Sequence, residues 1–268
     1  MSNGLLGNLS ASPARARLSR RDLLGFAAKG AASVVVSQSV LLACGVGAAS
    51  ATDTSTSGGT TSTTGTTTTG ASCILTAALT EGPFFVDEKL NRSDIRTDPG
   101  SGAVSAGIPL ALAFNVSRVA NSACTPLTGA YLDVWHCDST GTYSDVSGSS
   151  RKFLRGYQIT DANGVAAFTT IYPGWYGGRA VHIHFKLRLY AGSSKTYEFT
   201  SQFFFNDTLT DSVYTQSPYS SRGSRNTRNS SDGIYNSLSA NDKAGLTLQT
   251  SNTTDGYAGL INLGVNVG

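Results

Sequence analysis

The chain has 268 residues, of which 40% are hydrophobic and only 14% charged, with 30 glycines and a formal charge of +3. That length can bury one sizeable core, and low charge with abundant Ser, Thr and Gly suits an extracytoplasmic β-rich domain better than a cytosolic helical one. The positive charge is confined to the N-terminus: Arg15, Arg17, Arg20, Arg21 and Lys29 against Asp22 give +4, while the 15 basic and 16 acidic residues from position 45 onward leave −1, so no basic stripe exists and nucleic-acid binding is excluded.

Residues 1–44 read as an export signal. The basic stretch "ARARLSRRDLLGF" precedes "GFAAKGAASVVVSQSVLLAC", an apolar run too broken by Lys29, Ser and Gly to span a bilayer well. The Arg20–Arg21 pair resembles a twin-arginine signal, which exports folded proteins, and "LLAC" resembles a lipoprotein cleavage box in which Cys44 is lipidated; simple cleavage nearby is the alternative. Membrane contact is expected only through that lipid, with the protein secreted or anchored at the cell surface. Residues 45–72, including "TSTSGGTTSTTGTTTTG", form a flexible solvated linker. The folded domain is then 73–268. With Cys44 set aside, Cys73, Cys124 and Cys137 allow one disulfide outside the cytoplasm, and spacing does not select the pair.

Within the domain, period-two alternation dominates. In "IPLALAFNVSRV", Leu110, Leu112, Phe114 and Val116 share a face; in "GAYLDVWHCD", Leu132, Val134 and His136 oppose Tyr131, Asp133, Trp135 and Cys137. "FLRGYQIT" and "VAAFTTI" around "DANG" read as a β-hairpin, and "AVHIHFKLRLY" with "KTYEFTSQFFF" around "AGSS" as another. Helical periodicity is confined to a turn or two near "LTDSVYTQ", and the Ser/Asn/Arg/Gly-rich tail is expected to be irregular before a last strand at "YAGLINLGV". The expected fold is all-β: a β-sandwich of mixed or antiparallel strands with long loops and little helix.

Only three histidines occur, and two of them are alternate residues in "IYPGWYGGRAVHIHF". On a strand, His182 and His184 project to one face while Val181, Ile183 and Phe185 face the core. Two adjacent imidazoles can chelate a metal; a hydrogen-bonded surface pair is the blander reading. Tyr176, on the glycine-flanked bend before them, is either a packing residue or a third donor. A phenol titrates near 10, so holding it as phenolate calls for a hard trivalent cation, which points to ferric iron.

"YLDVWHCDSTGTYSDV", "RGYQITDANGVAAFTTIYPGWYGGRAVHIHFKL" and "TSQFFFND" resemble successive motifs of the intradiol ring-cleavage dioxygenases, and more narrowly their secreted bacterial branch, across roughly residues 73–240. The resemblance implies a non-haem Fe(III) cofactor bound by Tyr143, Tyr176, His182 and His184. It further implies that Arg179 stabilises developing charge, Gln202 orients reactive oxygen, and Gly82 and Pro83 of "TEGPFF" line the pocket for a catechol-type substrate cleaved with O₂ to a muconate-type diacid. The loop between Tyr176 and His182 is shorter than in the catechol-cleaving members, making Tyr172 a rival second ligand, and their helical dimerisation segment has no counterpart. His136 reads as a satisfied buried residue, and the arginines of "SSRGSRNTRNSSDG" as partners of loop carbonyls and carboxylates or as a rim for acidic aromatics. Two other classes compete: a surface-anchored, non-catalytic binding sandwich, which leaves the four ordered donors unexplained, and a metal-dependent hydrolase, which wants a further carboxylate, His or Cys ligand. The motifs leave the ring substituents open.

Overall fold

Strand β1 (Pro109–Ala120) organises the first of two sheets. In the computed structural model, which describes residues 74–121, 123–146 and 148–268, one edge of β1 pairs in parallel with β9 (Tyr257–Val265). Its other edge is shared end to end by β5 (Val165–Ile171) and the short β2 (Ala123–Pro126), both antiparallel. The sheet ends at β8 (Gln249–Asn252) beyond β9. The second sheet is antiparallel, in the order β4 (Arg155–Ile159), β3 (Tyr131–Trp135), β6 (His182–Ala191) and β7 (Ser194–Phe204). The segments expected to be an export signal and a linker, with Cys44 and Cys73, lie outside the described residues.

The two sheets face each other through the alternating apolar residues. Leu110, Leu112, Phe114 and Val116 of β1 meet Leu132 and Val134 of β3 and Ile183, Phe185 and Leu187 of β6 in one buried cluster. Phe114 joins the layers: its ring lies 6.0 Å from Phe168 in its own sheet and 5.8 Å from both Phe185 and Phe203 across the interface. Each such ring contributes about 1.5–3 kcal/mol on burial.

One expected pairing is corrected. The strands flanking "DANG" do not form a hairpin: β4 pairs with β3 and β5 with β1, so the turn carries the chain from one sheet to the other. Asp161 closes the turn by accepting from the Asn163 and Val165 amides. Just before it, buried Thr160 donates to Leu127 O and accepts from the Ala130 amide, anchoring the chain as it crosses. Alternation is the same whether consecutive strands pair with each other or with separate neighbours, so it does not report the partner. The hairpin β6–β7 forms as expected.

What positions the site is the treatment of the second sheet's outer face. The segment before β1 wraps over it, bonding Leu79 N to Thr200 O, Arg92 N to Tyr157 O and Tyr157 N to Leu90 O. Beneath this wrap, Arg188 bridges Asp133 (2.6 Å) and Asp87 (2.8 Å), and Lys186 pairs with Glu81 and Glu198. Burial lifts the Asp133 carboxyl to about 6 despite its arginine partner. A face that would otherwise meet solvent thus becomes a second interior.

Among the described residues α-helix is limited to α1 (Asp207–Tyr214), capped by Asn206 near the expected position, α2 (Gly233–Asn236), capped by Asp232, and α3 (Ala240–Gly245), capped by Ser239. The last two were not foreseen.

Candidate active site

The site is built on one transverse row of the second sheet. Arg155, Trp135, His184 and Gln202 are register partners across β4, β3, β6 and β7, and all are buried on the outer face. His182 stands two residues along on the same face, at the start of β6.

The two imidazoles are fixed from behind. His182 Nδ1 lies 2.6 Å from Ala180 O, so it carries the proton and leaves Nε2 with a lone pair aimed at the site. His184 stacks on Trp135 at 4.9 Å and 12°, its Nδ1 buried without a partner. The two Nε2 atoms are 3.1 Å apart. Burial, reinforced by Arg179, pushes His182 down to about 3; burial and the His182 neighbour take His184 well below the ordinary imidazole value. Both rings are therefore neutral, the state that binds metals.

The phenols converge on the same point. Tyr176 Oη is 3.1 Å from His182 Nε2. Tyr143 is 4% exposed, its ring lies 5.8 Å from that of Tyr176 and 6.3 Å from His184, and its hydroxyl has no hydrogen bond of acceptable geometry. Burial pushes both phenols above their usual value, Tyr143 furthest. The buried Tyr143 hydroxyl lacks a partner beside the crowded Nε2 atoms of His182 and His184 and the Tyr176 hydroxyl, and an unshared buried polar group is costly. A cation among them removes that cost, and these donors fit a hard trivalent metal: among the described residues no group of three His, Cys, Asp or Glu could hold one instead. Tyr172, the rival ligand, is elsewhere, fully buried and bonded to Thr210 Oγ1 at 2.7 Å.

Arg179 is gripped on two sides. Its Nε donates to Asp232 Oδ2 (2.9 Å) and its Nη2 to Gln202 Oε1 (2.6 Å), which leaves Nη1 facing His182 Nε2 at 3.5 Å. Gln202 donates in turn to Thr80 O (2.7 Å), so both ends of its amide are committed. Asp232, which no motif singles out, is wholly buried. Besides Arg179 it accepts from Ala180 N on the same oxygen, and from Ile234 N and Tyr235 N on the other. Those amide and guanidinium donors outweigh burial and hold its carboxyl below the usual range. A Ser/Asp pair before "GIY" is a helix-start signal, but nothing local connects it to Arg179, 53 residues away.

Gly82 sits directly over His184: a Cβ there would lie 3.4 Å from the ring Cε1, and its φ is +69°. The left-handed backbone suits glycine. Gly82→Ala is therefore expected to cost about 1–2 kcal/mol through backbone strain, lowering the melting temperature by roughly 2–8 °C with metal binding retained; calorimetry and metal analysis check both. Pro83 is exposed. The residue of "TEGPFF" that lines the adjoining cleft is Phe84, stacked on Tyr143 at 4.3 Å. Arg155 ties the two together, donating to Ser144 O and to Phe84 O.

The cleft opens outward from Tyr143 and Tyr176 with a volume of about 510 Å³. His136 is a satisfied interior residue between Cys137 O and Thr170 Oγ1. Arg225 and Arg228 pair with Asp207 and Asp211, and Arg222 packs over Trp175, so none of these arginines lines this cleft. Cys137 is a free buried thiol, and Cys124 is disulfide-bonded.

A dioxygenase family model (Dioxygenase_C) matches residues 80–219, just over half the chain. The chain is 28% identical over 154 residues to catechol 1,2-dioxygenase 1 of Acinetobacter lwoffii, a match covering 48% of this chain and 45% of that enzyme, so it spans less than half of that relative's length. Among solved structures, an intradiol ring-cleavage dioxygenase from Tetranychus urticae superposes with a TM-score of 0.62 at 29% identity, covering 72% of this chain and 95% of the other. The dioxygenase domain of a carbohydrate-binding fusion protein from Streptomyces sp. SirexAA-E gives 0.52 at 28% identity, over 73% and 100%. With its imidazole pair, two phenols and clamped arginine on this sandwich, the chain belongs to the intradiol ring-cleavage dioxygenase family.

Proposed function

We propose that this domain is a non-haem Fe(III) dioxygenase that opens catechol-type rings between the two hydroxylated carbons, placing both atoms of O₂ in the two carboxyl groups of a muconate-type diacid. The observation that carries this reading is the convergence of His182 Nε2, His184 Nε2 and Tyr176 Oη within 3.1 Å contacts beside the orphaned Tyr143 hydroxyl. Ferric iron held by these four side chains would supply the electron withdrawal and oxygen chemistry that no amino-acid side chain offers.

The chain's own residues then bind, orient and move protons. Tyr176 borders the cleft with its hydroxyl 3.1 Å from His182 Nε2; held as phenolate by the iron, it would be the base placed to take a proton from an incoming diol hydroxyl. Phe84, stacked on Tyr143, walls the same end and keeps water from the ring face. The Arg179 guanidinium presents Nη1 beside His182, where negative charge on the opening ring is stabilised by a preorganised donor. Gln202 acts through its grip on Arg179.

The same proposal places the domain outside the cytoplasmic membrane, released or held by lipid on Cys44, supported by the Arg20–Arg21 pair, the broken apolar run and the Ser/Thr/Gly linker. Loading with ferric iron is expected to turn the protein red-brown through phenolate-to-iron absorption, with the band shifting on addition of catechol and one O₂ taken up per ring. A colourless, O₂-inert protein after loading would overturn the reading, and a binding module or zinc hydrolase would take its place.

A further inference from the structure

The cleft is larger than a bare diol ring requires. About 510 Å³ lies within the range of roughly 300–1,000 Å³ typical of sites for drug-sized ligands, yet only the Tyr143–Tyr176 end has to receive the two hydroxyls. Phe84 walls the phenol end; beyond it the lining is Phe153 and Val146 among the hydroxyl residues Thr140, Thr142 and Ser149, with two charged side chains, Asp138 and Arg151. The two charges are not equivalent. Asp138 Oδ1 accepts three hydrogen bonds inside its own turn, from Thr140 N (2.8 Å), Thr140 Oγ1 (2.7 Å) and Thr142 N (3.0 Å), so its charge is satisfied locally. Arg151 is exposed, lies with its guanidinium carbon 4.7 Å over the Phe153 ring, and makes no ion pair or side-chain hydrogen bond among the described residues. Stacking on an aromatic face fixes a guanidinium plane while leaving its edge donors free, the arrangement that accepts a carboxylate through two parallel bonds.

We infer that the outer part of the cleft is a subsite for an anionic ring substituent, and that preferred substrates are catechols bearing a short side chain that ends in a carboxylate paired with Arg151. This rests on the ring-cleavage reading and adds the substrate class to it. Phe153 and Val146 take the side chain's apolar stem, and the arginine over Phe153 takes its end.

The test compares three substrates, catechol, 3-(3,4-dihydroxyphenyl)propanoate and the corresponding primary amide, in the iron-loaded wild type and in Arg151→Gln. The wild type is expected to favour the acid over the amide by about fivefold in kcat/KM at low salt, the size of an exposed ion pair. The difference should lie in KM and shrink as salt rises. In Arg151→Gln the acid-to-amide ratio is expected to fall to near one, while catechol turnover stays within about twofold of wild type. An acid-to-amide ratio near one in the wild type, or one that survives Arg151→Gln, overturns the subsite while leaving ring cleavage standing. Failure of all three compounds to react overturns the ring-cleavage reading itself and the subsite with it.

Discussion

His184→Ala is expected to abolish both ferric iron binding and ring cleavage, whereas His136→Asn keeps both. The two residues share burial and histidine chemistry, so the contrast isolates geometry. His184 Nε2 faces His182 Nε2 at 3.1 Å with the Tyr176 phenol alongside; His136 has both ring nitrogens occupied by Cys137 O and Thr170 Oγ1. Removing one of four donors should cost more than the roughly 10–100-fold typical of losing an outer hydrogen-bond partner of a metal ligand, leaving turnover below detection. Alanine at 184 also opens a void against Trp135, so folding has to be followed by circular dichroism; Tyr143→Phe, which removes only the orphaned hydroxyl, gives the same test with the packing kept. Metal analysis and O₂ uptake decide it. Iron retained at full stoichiometry in both His184→Ala and Tyr143→Phe would remove the assigned centre.

Asp232→Asn has the second large effect, and it is expected to act through Arg179. An asparagine oxygen turned toward Ile234 N and Tyr235 N preserves the helix cap, but its NH₂ group then confronts Arg179 Nε and Ala180 N, both donors now served by Oδ2. The guanidinium loses the partner that aims Nη1 at His182, so kcat is expected to fall about 10–100-fold with iron and colour unchanged. Breaking a wholly buried carboxylate pair costs about 3–5 kcal/mol; Arg179 is 18% exposed and recovers part of that from water, so about 2 kcal/mol and a melting temperature lower by roughly 4–8 °C are expected. A double-mutant cycle separates positioning from general damage. In an Arg179→Met background the same Asp232→Asn change is expected to alter kcat by no more than about threefold; an equal loss in both backgrounds would show that Asp232 does not work through the arginine.

How far the linear sequence reached follows from the range of each interaction. Alternation identified β1, β6, β7 and β9 and the inward faces carrying Leu110, Phe114, Ile183 and Phe185, because side-chain direction on a strand repeats every two residues whatever the strand pairs with. The same rule put His182 and His184 on one face, and the ordered motifs placed Tyr143, Tyr176 and Arg179 close by. Pairing was another matter. The "DANG" turn looked like a hairpin and instead crosses between sheets, since partner choice depends on backbone edges contributed by residues about 50–60 positions away, such as Pro109–Asn115 for β5.

Electrostatic surroundings were equally invisible. Asp232 approaches Arg179 from a loop 53 residues downstream, Phe84 reaches Tyr143 from before the first strand, and Arg151 rather than Arg222, Arg225 or Arg228 proves to be the cation at the cleft. Local covalent order and side-chain periodicity determine which residues point together, and they were enough for the sandwich and for setting His182 beside His184, while Tyr143 and Arg179 were singled out only by the resemblance to the family's motifs. Burial, and with it the neutrality of the histidines, the orphaned phenol and the aim of the arginine, arises only when distant segments close over the outer face of the second sheet, because desolvation belongs to the assembled volume and not to any stretch of chain.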